Sequence, residues 1–168
     1  TADVIKLDVQ GAELDVLRGA KRRLENETLA VIAEVSFVEL YENQPMFSEV
    51  DTFLRRQGFQ LFDICHHRWS RRILGPIFSK YRVGQIAYGD VLYLKDPIES
   101  QQALTSRMWL KLIALAEFFS VPDYALELVD RAEMEAMVSS ADCASIRRSL
   151  KQNQIIQINN CNVNFPER

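Results

Sequence analysis

The stretch IKLDVQGAELDVLRGA, residues 5–20, with LAVIAEV at 29–35, constrains the fold more than any other part of this chain. Val4–Val9 (VIKLDV) is a short, β-branched run that suits a mostly buried strand. From Gly11 to Glu25 the period changes to that of a helix. Leu14, Leu17, Ala20, Lys21 and Leu24 share one arc, and Asp15, Arg18, Arg22 and Glu25 share the opposite one. Leu29–Val35 is continuously apolar, as expected of a strand covered on both faces of a parallel sheet. Strand, helix and strand at this spacing form a βαβ unit with a right-handed crossover, and so an open α/β sheet. In such sheets ligands bind beyond the carboxyl ends of the strands.

The rest of the chain extends the pattern. Ser48-Glu-Val-Asp51 has the flavour of a capping box, and its helix should run through Phe53 and Leu54 to Gly58, a good residue just past a helix end. Phe59–Ile64 reads as a third strand and Asp90–Leu94 (DVLYL) as a fourth. No convincing helix separates these two, so an antiparallel pairing is expected. After Pro97 the pattern turns helical, over 101–120, 122–138 and 141–152, with a break at Val121-Pro122. Met108, Leu112, Leu115 and Phe119 fall on one face of the first of these. The Asn/Gln-rich tail from residue 153 is expected to be irregular or a weak edge strand.

Composition narrows the function. With 20 basic and 23 acidic residues the net charge is −3, so there is no general attraction for polyanions and nucleic acid is a poor partner. Cys65, Cys143 and Cys161 show neither CxxC nor Cys/His ligand spacing. Neither a disulfide framework nor a structural zinc site is indicated, and free thiols in a reducing cytoplasm are expected. No apolar run reaches the 18 residues of a membrane span. Gly-rich phosphate loops, GxSxG and HExxH are absent, which leaves kinase and hydrolase readings without positive support.

Three acids are candidates for chemistry. Asp8 sits near the carboxyl end of the first strand. Glu13 falls on the apolar side of the following helix, where free first-turn N–H groups and the helix dipole favour negative charge. The plainer alternative is that Glu13 caps its own helix and Asp8 the turn. Glu34 interrupts an apolar strand near its carboxyl end, where an ionised group is costly without a partner. Three acids at one edge could orient a hydroxyl, act as a general base or hold a divalent cation. A second cluster, CHHRWSRRILGPIFSKYR at 65–82, concentrates positive charge among aromatic residues. His67, Arg68, Trp69, Arg71 and Arg72 are its candidates for binding an anionic or sugar-like acceptor. A solvated loop or a membrane-surface patch is the alternative. His66 and His67 are poor joint metal ligands, because neighbours on a strand point opposite ways.

Taken together, IKLDVQGAELDVLRGA, VIAEVSFVELY and FSEVDTFLRRQGFQLFDI resemble the FkbM family of S-adenosylmethionine-dependent methyltransferases. Lys6, Asp8, Gln10, Gly11, Glu13, Gly19, Ala20 and Glu34 carry the resemblance, and DVLYLKD is similar to the family's closing antiparallel strand. It covers roughly residues 3–96. It implies a partial Rossmann-like class I methyltransferase sheet, mostly parallel with an antiparallel last strand; the C-terminal α-helical extension, read from the pattern after Pro97, lies outside the resemblance. The divisions are 1–97 for the α/β part, 98–152 for the helical extension and 153–168 for the tail. The activity implied is O-methylation of a hydroxyl on a glycan or secondary metabolite. Asp8, Glu13 and Glu34 would be the catalytic residues and Gln10 and Gly11 would lie on the S-adenosylmethionine side, with no metal. The family's glycine-containing cofactor turn has no counterpart here, so these 168 residues alone are expected to bind the cofactor poorly. An exposed edge on the first strand would then favour self-association. Two other readings compete: a non-catalytic α/β module whose helices bind a partner, and a glycosyltransferase-like domain with Asp8 and Glu34 on a metal.

Overall fold

The computed structural model describes residues 2–71 and 84–161, with 154–161 described by backbone alone. The chain divides into two compact units, Thr1–Ser100 and Gln101–Arg168.

The first unit runs β1 (Val4–Leu7), α1 (Glu13–Gly19), α2 (Lys21–Asn26), β2 (Ala30–Ser36), α3 (Phe47–Arg56), β3 (Phe59–Trp69), β4 (Gln85–Lys95) and α4 (Pro97–Ser100). The sheet order is β1-β2-β4-β3. β1 and β2 are parallel, and β4 is antiparallel to both of its neighbours. Three strands therefore end at one edge, and β4 begins there. The mixed α/β sheet with an antiparallel last strand agrees with the architecture expected from the sequence.

One face of the sheet carries the core. Leu14, Leu17, Leu24, Val50 and Leu54 from the helices pack on Val31, Ala33, Val35, Phe59, Val91 and Tyr93. Each of the Leu, Val and Phe side chains among them contributes roughly 1.5–3 kcal/mol when fully buried. This is the apolar arc that the helical period marks between residues 14 and 24. On the other face Glu34, Tyr88 and Asp90 are half-buried, and Asp63, Cys65 and His67 are exposed.

Several boundaries differ from expectation. The first helix begins at Glu13 rather than Gly11, because Gln10 (φ 55°) and Gly11 (φ 99°) take left-handed backbone that no α-helix admits. It then breaks at Ala20 (ψ 2°), after Gly19, into two short helices. The third helix starts one residue earlier than Ser48, and its first turn is closed by Glu49, whose Oε2 accepts from the Met46 N–H at 3.0 Å. Asp51 does not cap: it accepts from Arg55 Nε at 2.8 Å and from the Tyr93 hydroxyl at 2.7 Å. Gly58 (φ 80°) follows the helix end, where the sequence places it. β2 is less covered than its apolar run suggests, with Ile32 and Glu34 only half-buried. β3 and β4 are longer than read, because polar residues such as His66 and Gln85 join the ladder once it pairs.

At the opposite end of the sheet from the carboxyl edge, Lys95 is fully buried. Its Nζ donates to the carbonyl oxygens of Leu24 and of Gln57 (3.0 Å for the latter) and lies 4.5 Å from the Phe59 ring centre. One ammonium thus ties α2 and the end of α3 to β4. Burial lowers its pKa from 10.5 to about 8.

The second unit holds α5 (Ser106–Phe118), α6 (Pro122–Met134) and α7 (Ser140–Cys161). Thr105 caps α5, accepting from the Met108 N–H at 3.3 Å. Pro122 opens α6, where its missing N–H costs nothing. On α5 the buried positions are Trp109, Leu112, Ile113 and Ala116, while Met108, Leu115 and Phe119 lie at the margin. The face is therefore turned from the expected one toward Trp109, the largest side chain to be hidden. Arg147 on α7 reaches Asp130 and Glu133 on α6, each at 2.6 Å. The backbone stays helical to Cys161, into the stretch expected to be irregular. Residues 162–168 lie outside the described part.

Candidate functional site

The carboxyl ends of β1, β2 and β3 and the start of β4 meet at one edge, and the candidate residues lie there. β1 ends at Leu7, and Asp8 follows as the chain turns. The turn is built by Glu13, a buried carboxylate whose two oxygens accept from the Val9 N–H (2.9 Å) and the Gly11 N–H (3.0 Å). These charge-assisted bonds offset the cost of burying Glu13 and hold the left-handed pair Gln10-Gly11 in place. Glu13 therefore serves its own loop.

Gln10 links two loops. Its Nε2 donates to Asp8 Oδ1 at 3.0 Å, and its Oε1 accepts from the Tyr41 hydroxyl at 2.8 Å. Tyr41 belongs to the loop between β2 and α3. That loop is fastened by Gln44, whose Oε1 accepts from the Leu40 and Tyr41 N–H groups (3.1 and 3.3 Å) and whose Nε2 donates to Ser36 Oγ (2.8 Å). Gly11 lies against the same loop: a Cβ there would come within 3.2 Å of Tyr41 Cδ2.

Across the sheet, Glu34 on β2 pairs with Asp90 on β4, and Ser36 with Tyr88. Cys65 on β3 faces Asp90, and His67 faces Tyr88. Residues directly opposite share a face, so two polar rows cross the sheet beside Asp8. Burial raises the Glu34 pKa, as do the negative charges of Asp8, Asp90 and Glu13, while His67 works the other way. His67 stacks on Tyr88 with ring centres 4.8 Å apart, and Trp69 meets Tyr88 edge-on at 6.2 Å. A cleft of about 320 Å³ opens here, lined by Gln10, Glu34, Leu40, Tyr41, Trp69 and Tyr88.

The structure thus brings Asp8, Gln10, Glu34, His67 and Trp69 together. Arg68 is turned elsewhere, donating to the Gly84 carbonyl at 2.9 Å and to His66 Nε2 at 3.2 Å. Arg71 is exposed, and Arg72 lies outside the described residues. Sequence reasoning misses Tyr41, Tyr88 and Asp90. Tyr41 could have been found, since it follows β2 at the same carboxyl edge. Asp90 and Tyr88 depend on the register of β4, which no local pattern reveals. Among the described residues no group of three or more His, Cys, Asp or Glu is placed to hold a metal ion.

Residues 1–61 match the methyltransferase FkbM domain. The match runs from β1 into β3 and includes Asp8, Gln10, Gly11, Glu13, Glu34 and Tyr41. It bears out the resemblance read from the sequence. No curated protein and no solved structure matches the chain. The family implies S-adenosylmethionine as methyl donor, and the described residues do not offer it a cradle. Gly11, which would let a nucleoside approach the backbone, is packed by Tyr41 and Gln44, and the Gln10 amide is committed to Asp8 and Tyr41.

Proposed function

We propose that this chain provides the acceptor side of an S-adenosylmethionine-dependent O-methyltransferase acting on a hydroxyl of a glycan or secondary metabolite. The observation that carries the reading is the placing of Asp8 and Glu34 at the carboxyl edge of the sheet, beside a cleft, inside the segment that matches the FkbM domain. Methyl transfer depends chiefly on aligning the nucleophile. Gln10 holds Asp8 Oδ1, which fixes the carboxylate plane and presents Oδ2 to the acceptor hydroxyl. S-adenosylmethionine, when bound, would supply the methyl group and leave as S-adenosylhomocysteine; the part of Asp8 would be to orient the acceptor hydroxyl and take its proton. Glu34, whose proton is held more tightly than usual, orients a neighbouring hydroxyl. Glu13 positions Asp8 by shaping the loop. Among the described residues no helix is long and apolar enough to cross a membrane, and a cytoplasmic setting is part of this proposal.

Asp8→Asn, assayed for methyl transfer in the complete protein, is expected to lose most turnover with the fold retained. Unchanged turnover would remove Asp8 from the mechanism. Calorimetric titration of these 168 residues with S-adenosylmethionine is expected to give no saturable heat, and micromolar binding would refute the assignment to the acceptor side.

A further inference from the structure

The sequence suggests an anionic or sugar-like acceptor, on the strength of the arginines after His67. The charges that the structure places at the cleft have the opposite sign. Glu34 lines it, Asp8 and Asp90 add negative charge to it, and among the described residues acting on Glu34 only His67 opposes them. Arg68, next to Trp69 in the chain, spends its guanidinium on Gly84 and His66. The walls are aromatic. Tyr41, Trp69 and Tyr88 line a volume of about 320 Å³, with Leu40 and Gln10 completing it. Trp69 is 51% exposed and Tyr41 48%, so both rings have surface to give to a ligand. Tyr88 is held between His67 and Trp69 by ring contacts and is thereby fixed in orientation.

Aromatic faces carry negative charge and attract organic cations, most strongly at tryptophan and most effectively where water is excluded. The Glu34 side chain within the same cleft, when ionised, adds an opposite charge that a bound cation would itself favour. An anion would meet Glu34 unpaired, and a neutral alkyl group would gain nothing from it. We propose that this cleft binds a small organic cation, an ammonium group held between Trp69, Tyr41 and Tyr88 and facing Glu34. This inference concerns the same site as the methyl-transfer reading. If that reading holds, it specifies the acceptor class: a hydroxyl compound bearing an amine. It is tested by equilibrium binding, which needs neither donor nor turnover, so either idea can fail without the other.

The probe is choline, followed by ligand-observed NMR against this chain. Its neutral isostere, 3,3-dimethylbutan-1-ol, has the same shape without the charge. Choline is expected to bind saturably and the alcohol about tenfold more weakly. Trp69→Leu and Glu34→Gln are each expected to weaken choline by about fivefold or more, while circular dichroism stays unchanged; both side chains lie outside the hydrophobic core. Tyr41→Phe, which keeps the ring, should retain binding and so controls for loop disruption. Absence of saturable choline binding overturns the proposal. So does equal binding of the alcohol, or choline binding unmoved by both Trp69→Leu and Glu34→Gln.

Discussion

Glu34 on β2 and Asp90 on β4 stand directly opposite one another in an antiparallel ladder. Their Cβ atoms are then about 4.5–5.5 Å apart, close enough for the Asp90 charge to raise the Glu34 pKa. The pair is tolerated because both side chains are only half-buried, so water reaches part of each group. Like charges in this position destabilise the sheet and favour a proton on Glu34.

Asp90→Asn removes that opposition. The Glu34 pKa should fall toward the ordinary glutamate value, which carboxyl NMR titration would read directly. A raised carboxyl pKa in the folded state gives stability that is full below the unfolded value and is lost as pH rises through the folded one. The variant should therefore be more stable than wild type at neutral pH, by roughly 0.2–1 kcal/mol. The gain should shrink as pH falls and Glu34 takes up its proton. A Glu34 titration that does not move would assign its shift to burial and to the charges of Asp8 and Glu13.

Lys95 gives a pH dependence of a different kind. Its folded pKa is about 8 against 10.5 in the unfolded chain. Between these values the unfolded state binds more protons, so the Lys95 contribution makes stability rise with pH. Below pH 8 the cost of burying the charge is present in full. Lys95→Met removes this slope, and Tyr93, whose pKa burial raises, affects both proteins alike. The stability of wild type relative to Lys95→Met should climb between pH 8 and 10 by up to about 1.4 kcal/mol per pH unit. Urea unfolding at several pH values would measure it, and parallel curves would show that Lys95 keeps an ordinary pKa.

Glu13→Gln tests whether the buried acid is a loop-builder. Glutamine can accept from only one of the Val9 and Gly11 N–H groups and turns its own NH2 toward the other. The expected loss is about 2 kcal/mol, measured by urea unfolding. A loss below about 0.5 kcal/mol would mean that water satisfies both N–H groups and the loop does not need the carboxylate.

What the sequence reveals follows from the range of the interactions. The β-branched run at Val4–Val9, the helical arc Leu14–Leu17–Leu24 and the apolar run at β2 are local, and each marks its element. The acids Asp8 and Glu34 are legible because the carboxyl-edge rule needs only strand direction. The partners Asp90, Tyr88 and Tyr41 depend on which strand inserts beside β2 and on a loop folded back over Gln10. Those are contacts between residues 31 to 56 positions apart, and no short pattern encodes them. The break of the first helix at Ala20 is hidden for a different reason, since a single glycine is tolerated in many helices.

Gly89 is the last residue on which the site depends, and its reason is contact with its neighbour strand. It faces His66 in the ladder next to the Glu34–Asp90 row. A Cβ at this position would lie 2.7 Å from the Cys65 carbonyl oxygen and 2.9 Å from His66 Cα. Both are backbone atoms of a paired strand, so no side-chain rotation relieves the clash. Gly89→Ala must push β3 away from β4, and the hydrogen bonds beside His67 and Tyr88 lengthen with it. Overpacking of this kind costs about 1–3 kcal/mol. The same movement separates His67 from Tyr88 and loosens the Trp69 wall, so binding at the cleft should weaken while the core around Leu17 and Leu54 stays intact. Hydrogen exchange would locate the effect. Loss of protection confined to residues 64–68 and 86–90 is expected, and uniform loss across the whole sheet would place Gly89 in the global core instead.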